Sequence, residues 1–517
     1  MANNALRAFA ALLVLAGLTA VANGQAFRVQ CPTTTSLHPA AAPTGKAYTG
    51  PVSVVDPATG LTYLSNGGQI KCQQVSGGDG YATMADGTQT YLFAFGPLSG
   101  LADIAKGLPG TEIASVFNTL APVNLQVGDP ATTVAAGGSF SYNGAVGLAP
   151  DPDNNNAIDG HVDPRPIMDV GVMNGNMPAP LMAIDEDDEF FLTLTNVGMI
   201  MRPDLFEQHT IHFHGYPNAS SFYDGVPDAS VAINIGGSMT YYYLAPDAGT
   251  YFWHCHITPP EHLQMGMVGQ LYVRPRQNRV PVGTNLLASL QKQQLDLRTA
   301  SNCANDILCT TPVPPSDNGA TQTANATYAY NDGDGSTRYD VEYPLQIHGF
   351  DPNFHFVGMT FNPEGFADIK DKYFLLNGRS YPDTVVPSPL QAISSDGTMH
   401  DSQPLPSIIN IPTGGRALLR ISDLDVSEFQ TLASLGIPMQ VIAINARLLR
   451  DQAGNNLYYN TNSITLGGGE SIDVILDASD QSKYPQNSVF YLYTPNLDHL
   501  SNDAENFGGL MTEIHII

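Results

Sequence analysis

The fold is decided by the stretch Tyr251-Phe-Trp-His-Cys-His-Ile-Thr-Pro-Pro-Glu-His-Leu-Gln-Met-Gly-Met267, taken together with the upstream stretch His209-Thr-Ile-His-Phe-His-Gly215. These two stretches hold six of the 13 histidines, one of the 5 cysteines and two of the 15 methionines in a chain of 517 residues. Imidazole, thiolate and thioether groups are the ligands that transition metals prefer. Their concentration here predicts a metal site.

Side-chain alternation divides these candidate ligands between two faces. In a β-strand, odd and even positions point to opposite faces of the sheet. If both stretches are regular strands that lie side by side, with no bulge, His209 shares a face with Cys255. The other face then carries His212, His214, His254 and His256. The sequence therefore predicts two clusters on opposite sides of the same strands.

The first cluster has the composition of a blue-copper centre. Within the stretch from Tyr251 to Met267, His262 and Met267 follow the predicted strand in a loop and can complete the set begun by His209 and Cys255. A thiolate, two imidazoles and an axial thioether bind a mononuclear electron-transfer copper. Met265 competes for the axial position, but we favour Met267, because core packing is the usual role of a methionine.

The second cluster consists of imidazoles alone. Four imidazoles directed at one place are typical of a copper site that binds oxygen or another small oxidant. A structural zinc site would usually recruit thiolates and close at four ligands. Isolated histidines are most often ordinary core or surface residues, but this spacing favours copper.

The two stretches resemble the copper-liganding domain of the multicopper oxidases, where His-x-x-His-x-His-Gly is followed by His-Cys-His-Ile and then by His and Gly-Met. The resemblance implies a type 1 copper bound by His209, Cys255, His262 and Met267. It also implies that His212 faces a type 2 copper and that the type 3 pair is bound by His214, His254 and His256. The segment from Ile257 to His262 is longer than the family pattern.

The second half of the chain resembles the family without its full ligand set. A complete trinuclear site of the family takes half of its histidines from a second domain. Here Gln346-Ile-His-Gly349 contains only His348, and Tyr493-Thr-Pro-Asn-Leu-Asp-His499 contains only His499, with His355 as a third candidate. The ligand count therefore fits a reduced site of one or two coppers, or a site completed across a subunit interface in a homo-oligomer.

The fold class predicted from composition and resemblance is all-β. The chain has 49 Gly and 38 Pro that punctuate short apolar runs, as in β-sandwiches. We predict two cupredoxin-like Greek-key β-sandwich domains, preceded by an irregular β-rich region. The predicted divisions are a signal peptide, an N-terminal β-rich extension, a copper-binding domain, a linker and a second cupredoxin-like domain, at residues 1–24, 25–165, 166–276, 277–338 and 339–517.

The beginning of the chain and its cysteines predict an exported protein. Arg7 precedes a short apolar run from Ala8 to Leu18, which is typical of a secretory signal peptide. No stretch is long enough to predict a membrane span. Apart from Cys255, an even number of cysteines remains, as expected for disulfides in an oxidising compartment. We expect the sequential pairs Cys31–Cys72 and Cys303–Cys309, and a location in the periplasm, on the outer surface or in the medium.

The charge balance restricts the partners. Asp and Glu number 48 against 21 Lys and Arg, a formal net charge of -27. Nucleic-acid binding needs basic surface that releases counterions and is therefore excluded. An acidic surface attracts cations, including metal ions, although it can also serve only to keep an exported protein soluble.

One acidic segment resembles a calcium loop. The segment from Asp151 to Asp159 alternates oxygen-bearing side chains at suitable spacings. The expected Gly is Asn156, however, and position twelve is Val162 instead of Glu. A plain polar turn is the favoured alternative to a calcium site.

The predicted function is that of an exported copper oxidoreductase. A small-molecule or metal-ion reductant, either a phenolic compound or Mn(II) or Fe(II), would deliver electrons near His262. Cys255 and its covalent neighbours would conduct them to the cluster where oxygen, the expected acceptor, is reduced. The catalytic residues of that step would be His212, His214, His254 and His256. Asp224 is a candidate proton relay, although a turn aspartate is the favoured reading.

Two alternative functions stay open on the sequence alone. One is a non-catalytic electron-transfer or copper-holding cupredoxin, which the sparse histidines of the second domain favour. The other is a two-domain copper nitrite reductase, which pairs a blue copper with a type 2 copper held by three histidines. His214 and His256 are extra relative to that pattern.

Overall fold

A computed structural model describes residues 27–39, 52–55, 60, 62–65, 67–120, 142–215, 220–245, 247–293, 312–359, 365–393 and 399–517. The predicted signal peptide and the predicted Cys303–Cys309 pair lie outside these residues. A search of the described residues for a helix with the length and apolarity needed to span a bilayer found none.

Most of the regular structure is β. The strands are β1 Val52–Val55, β2 Thr62–Ser65, β3 Ile70–Thr83, β4 Gln89–Pro97, β5 Glu112–Ile113, β6 Met182–Asp185, β7 Glu189–Gly198, β8 His212–Phe213, β9 Ser238–Leu244, β10 Gly249–His254, β11 Val268–Arg274, β12 Thr327–Tyr328, β13 Arg338–Tyr339 and β14 Val341–Phe350. They continue with β15 Tyr373–Leu376, β16 Leu390–Ile393, β17 Met399–Gln403, β18 Ile409–Ile411, β19 Arg416–Asp423, β20 Gln430–Leu435, β21 Met439–Ile444, β22 Arg447–Leu448, β23 Tyr459–Thr461, β24 Ser463–Leu466, β25 Ser471–Asp477, β26 Val489–Tyr493 and β27 Met511–Ile516.

Helices are short. The α-helices are α1 Leu101–Ile104, α2 Ala114–Phe117, α3 Pro164–Gly171, α4 Pro259–Gln264, α5 Leu286–Gln293 and α6 Pro352–Met359. Single 3-10 turns are at Ser221–Tyr223, Arg276–Arg279, Phe366–Asp368, Asp383–Val385 and Leu497–His499. The all-β prediction is confirmed.

The first sandwich combines a 5-stranded sheet with a 4-stranded sheet. The larger has the order β4-β3-β7-β9, with β5 paired to β3, and the smaller has the order β6-β11-β10-β8. Phe190 of β7 and Trp253 of β10 meet in the shared core. Because β3 pairs in parallel with β7, the predicted N-terminal extension supplies β3 and β4 to the same sheet as β7. This pairing joins segments more than a hundred residues apart and leaves no local sequence signal.

The second sandwich has the same layered plan. A 7-stranded sheet follows the order β15-β14-β19-β25-β21-β22, with β23 paired to β21, and a 5-stranded sheet follows the order β18-β27-β26-β20-β24. Buried aliphatic side chains such as Leu419, Val474 and Leu492 fill the space between them. Two β-sandwiches, as predicted, therefore make up the bulk of the described chain.

The two sandwiches pack through β10 and β11 of the first and β19 and β25 of the second. Alternation along β10 sends Tyr251 and Trp253 into the first core, so that Thr250, Phe252 and His254 face the second sandwich. Thr250 Oγ1 donates to Asp473 Oδ1 at 2.6 Å. This face of β10 is therefore an interdomain face.

The interface also contains a buried ion-pair network. Glu342 accepts hydrogen bonds from Arg274 and from Arg420, the latter at 3.0 Å. Burial of an ion pair is costly unless its hydrogen bonds are satisfied, and here each charge has a partner of opposite sign. The network fixes how the second sandwich approaches β10 and β11.

The predicted linker packs against both sandwiches. Asn331 Nδ2 donates to Glu186 Oε2 of the first at 2.7 Å. Tyr330 donates to Asp473 Oδ2 of the second at 2.5 Å. Its described part is thus ordered by polar contacts with its neighbours, as well as by the short strands β12 and β13.

Two N-terminal expectations can be compared with the structure. Cys31 and Cys72 form a disulfide, as predicted, and tie the first described segment to β3. In the segment that resembles a calcium loop, the Arg28 guanidinium lies 3.6 Å from Asp151 and 3.2 Å from Asp159. Arg28 therefore supplies the positive charge that a calcium ion would bring, which favours the polar turn.

Candidate metal centre

The centre is built on the end of β10. His254 is paired across the sheet with His212 of β8, and Trp253 with Phe213. Cys255 follows directly after β10, and its N–H donates to Met267 O at 3.1 Å. The two candidate clusters therefore lie on either side of the β8–β10 pair, which makes them adjacent.

The sulfur-containing cluster is completely enclosed. His209, Cys255 and His262 are each 0% exposed, and their ligand atoms all lie within 4.8 Å of one another. His262 Nδ1 is 3.2 Å from Cys255 Sγ, and Thr210 N donates to the same sulfur at 3.4 Å. A dry pocket with soft and borderline donors suits copper in both oxidation states.

The charges in this cluster match a bound cation. Burial raises the pKa of the Cys255 thiol, but the His262 and His209 imidazoles outweigh it and bring that pKa well below its usual value. Burial lowers the pKa of His262, whereas Cys255 and Glu207 raise it to about 9. In the metal-free protein a thiolate thus faces an imidazolium. Since the thiolate is the form that binds metals, copper can take the place of the proton.

Unsatisfied atoms show that the residues fit a metal. Neither ring nitrogen of the buried His209 makes a hydrogen bond to a described residue, and the same is true of His262 Nε2. Leaving buried polar atoms without partners is costly, so such atoms need a ligand. The His209 ring packs directly against Gly77. A Cβ on residue 77 would lie 2.6 Å from His209 Cδ2, so a glycine at this position leaves room for the ring.

The segment after Cys255 is helical, whereas a loop was predicted. α4 starts at Pro259, a favoured residue at the first helical position, and Glu261 in its first turn complements the helix dipole. His262 lies within this helix. Met265 and Met267 are both fully buried in the same cluster as Cys255, and Met267 stays the proposed axial ligand.

The imidazole cluster lies on the interdomain face. Ligand nitrogens of His212, His214 and His254 fall within 4.8 Å of one another. The His256 ring centre is 5.1 Å from that of His212 and 5.5 Å from that of His254. The structure thus brings all four of these predicted histidines together.

Hydrogen bonds fix the tautomers of this cluster. His212 Nδ1 donates to Asp224 O at 2.7 Å, and His254 Nδ1 donates to Cys255 O at 2.7 Å. Burial lowers the pKa of His214 to about 4 and that of His254 to about 3, so both rings are neutral at pH 7. Their Nε2 atoms face each other at 3.1 Å and need a proton or a metal ion between them.

A cleft between the sandwiches leads to this cluster. It is lined by His214, Thr250, Phe252, Gly469 and other residues of both sandwiches, and its volume is about 230 Å³. A Cβ on Gly469 would lie 2.6 Å from His214 Nδ1, so only glycine permits this approach of the second sandwich. A small molecule such as oxygen can reach the imidazoles through this cleft.

The candidate ligands of the second sandwich bond elsewhere. His348 Nε2 is 2.9 Å from Leu263 O. His499 has Gln430 Oε1 and Glu428 Oε2 at 3.0 Å from its two ring nitrogens. His355 lies between two backbone carbonyl oxygens. Among the described residues, the imidazole cluster is therefore formed by the first sandwich alone.

Sequence reasoning missed Glu207. Its carboxylate oxygen lies 3.6 Å from His262 Nε2, and its side chain is 26% exposed. The neighbouring His262 imidazole holds the pKa of Glu207 below its usual value. The available signal was an acidic residue two positions before His209, the first candidate ligand. The direction of its side chain could not be predicted, because it lies outside the regular strands, where side-chain alternation does not apply.

Comparison with known proteins agrees with this centre. Residues 158–278 match the family model described as multicopper oxidase. Laccase abr2 of Aspergillus fumigatus is 35% identical over 109 residues, 21% of this chain and 17% of that protein. A copper-containing nitrite reductase of Rhizobium meliloti is 35% identical over 109 residues, 20% of this chain and 26% of that protein. The chain thus spans about a quarter of the length of these relatives, or less.

A blue copper oxidase from Nitrosomonas europaea, known from its crystal structure, aligns with a TM-score of 0.48 and 18% identity over 86% of this chain and 85% of that chain. The matched family segment contains both ligand stretches. Residues 158–278 of this chain are therefore similar to a domain of the multicopper oxidases.

Proposed function

We propose that the protein is an exported copper-dependent oxidoreductase. It oxidises phenolic compounds or low-valent metal ions such as Mn(II) and Fe(II) at a blue-copper centre, and it reduces oxygen at the imidazole cluster. The observation that supports this most strongly is the adjacency of the two clusters, which share the end of β10. Cys255 belongs to one cluster, and its covalent neighbours His254 and His256 belong to the other.

The two clusters have different roles in this proposal. Copper, when bound, supplies one-electron chemistry at the first site and an open position for oxygen at the second. Cys255, His209, His262 and Met267, which are all buried, would hold the first ion. The backbone from Cys255 to His254 offers a short covalent route between the sites. Hydrogen bonds to Asp224 O and Cys255 O orient His212 and His254.

Glu207 supports a cationic reductant. It is the partly exposed acidic group nearest to His262 in the described structure, at 3.6 Å. A carboxylate that stays ionised can bind a divalent cation or accept a hydrogen bond from a phenol. The overall charge of -27 would raise the local concentration of cations, which favours the metal-ion reductants.

Export is part of the proposal. The apolar start of the chain is typical of a signal peptide. The Cys31–Cys72 disulfide is of the kind that persists in oxidising compartments. The proposed location is the periplasm, the outer surface or the medium.

A second function is favoured by one specific observation. Among the described residues, the second sandwich brings Gly469, and no histidine, to the imidazole cluster. A protein that lacks half of the family's ligands could transfer electrons or hold copper without reducing oxygen. A nitrite reductase is the other alternative, since three of the imidazoles already form a compact group.

Copper content measured together with turnover tests the proposal. More than two coppers per chain, with oxygen consumed when Mn(II), Fe(II) or a phenol is supplied, is the expected result. A single copper without oxygen uptake would establish the electron-transfer alternative. Two coppers with nitrite turnover would establish the reductase. Purified, copper-loaded full chain is the appropriate sample, because both sandwiches line the cleft.

A further inference from the structure

The C-terminal end of α4 is tied to the chain segment of the second sandwich. The last carbonyl groups of a helix have no partners within the helix. Leu263 O lies 2.9 Å from His348 Nε2, and Gln264 O lies 2.8 Å from His355 Nε2. His348 and His355 are buried residues of β14 and α6. They cap the helix that carries His262.

The side chain of Gln264 adds two more contacts. It is 0% exposed, and its Nε2 donates to Asp371 Oδ1 at 2.8 Å. Its Oε1 accepts from Asp351 N at 3.4 Å. The backbone and side chain at this point therefore make four hydrogen bonds to residues that follow the linker.

His348 is the better-defined of the two histidine donors. Burial lowers the pKa of both rings, so each is neutral and carries one N–H. His355 has a second carbonyl, Tyr91 O, 2.6 Å from its other nitrogen, so its single N–H can satisfy only one of the two acceptors. His348 directs its N–H at Leu263, next to the ligand His262.

We propose that His348 is a positioning residue for the blue-copper site, through which the second sandwich fixes the segment from His262 to Met267 relative to Cys255. The inference rests on the proposed function only for its copper readout. Groups that support a ligand change the affinity and the properties of a bound metal. The surroundings of the cysteine sulfur and the axial ligand set the reduction potential. The sequence made His348 a candidate ligand of the imidazole cluster. In this proposal it supports the blue-copper site instead.

The first test uses the metal-free protein. Alkylation of the buried Cys255, followed by peptide mass spectrometry, reports how often the segment opens. His348→Ala is expected to speed alkylation about fivefold, the effect of losing one ordinary hydrogen bond. His348→Gln, which retains an N–H at a similar reach, should restore the slow rate.

His499→Ala is the matched control. His499 is another buried histidine of the second sandwich, 4% exposed, but it bonds Gln430 and Glu428 instead of α4. This variant should leave Cys255 alkylation unchanged even where it lowers overall stability. Equal alkylation rates in the His348→Ala and His499→Ala variants would overturn the proposal.

The second test uses the copper-loaded chain. The midpoint potential of the blue copper should shift in His348→Ala, return towards the original in His348→Gln, and stay constant in His499→Ala. If His348→Ala does not fold, His348→Leu, which fills the same space but has no N–H to donate to Leu263 O, decides the question by the same two readouts. Absence of a blue-copper band in the unmodified protein would refute the proposed function, whereas the alkylation rates would still decide the role of His348.

Discussion

His209 of the first sandwich and His499 of the second are both buried, but they differ in what their ring nitrogens contact. His209 is wholly buried, and neither of its nitrogens bonds a described residue. His499 is nearly as buried, yet both of its nitrogens have protein partners at 3.0 Å. A buried histidine is therefore available to a metal when the fold leaves its ring nitrogens without hydrogen-bond partners. A position that matches a ligand of the family motif does not by itself make a histidine available to a metal.

Replacing these two histidines by alanine, one at a time, should give the largest difference. His209→Ala removes a ligand of the first copper, so we expect the loss of one copper per chain and of the blue colour. His499→Ala should retain both, since its partners are Gln430 and Glu428. Metal analysis and visible absorption of the two variants check this prediction. Retention of blue copper in His209→Ala would remove the basis of the comparison.

A change in the imidazole cluster should separate the two sites. We expect His254→Ala to keep the blue absorption but to lower oxygen consumption by more than about 100-fold, the upper range for losing a residue that only supports a ligand. The reason is that His254 faces His214 across 3.1 Å, on the opposite side of the strand from the sulfur. Oxygen-electrode assays with spectra of the same sample provide the measurement. Unchanged oxygen consumption in His254→Ala would show that oxygen is reduced at another site.

Glu207→Gln should have a smaller and substrate-dependent effect. Removing the charge near His262 is expected to raise KM for Mn(II) or Fe(II) about tenfold, while KM for a neutral phenol changes little. Steady-state kinetics with both reductant classes test this. Asp204→Asn is a suitable control, because this exposed acid is paired with Arg202. An equal effect of the two variants would show that general surface charge is responsible.

The smallest predicted effect concerns stability and pH in the second sandwich. Burial and Asp425 raise the pKa of Asp371 to about 8, from a usual value of 3.8. Between these values the folded state binds more protons than the unfolded state, so stability declines as the pH rises from about 4 to about 8. Asp371→Asn should therefore gain about 1 kcal/mol or more at pH 8 and almost nothing at pH 4.

Urea unfolding of the metal-free protein at the two pH values measures this difference. The variant retains an acceptor oxygen for Gln264, so α4 should stay in place. A stability curve that rises between pH 4 and pH 8 in the original protein but not in the variant would contradict the assignment. Such a result would mean that Asp371 is ionised in the folded state.

Local patterns were enough to predict the first sandwich's ligand arrangement. Strand alternation separates Cys255 from His254 and His256, and the structure places them on opposite sides. Turn residues and short apolar runs also predicted the all-β class, and the resemblance to the multicopper oxidases predicted that there are two sandwiches. These features depend on neighbouring residues, which is why they can be read without tertiary information.

Long-range contacts could not be predicted in the same way. The parallel pairing of β3 with β7 and the bonds of His348 and His499 depend on segments distant in the chain. A loop was predicted where α4 forms. Two successive prolines are compatible with a turn, but proline is also favoured at a helix start, where the structure has them. The approach of Glu207 to His262 likewise depends on where the chain leaves the sheet.

The most direct test of the central claim is the visible spectrum of the copper-loaded protein, compared with that of Cys255→Ser. A thiolate bound to Cu(II) predicts intense absorption at roughly 600 nm that disappears in the variant. A copper-loaded protein without this band, or with a spectrum unchanged by Cys255→Ser, would contradict the account.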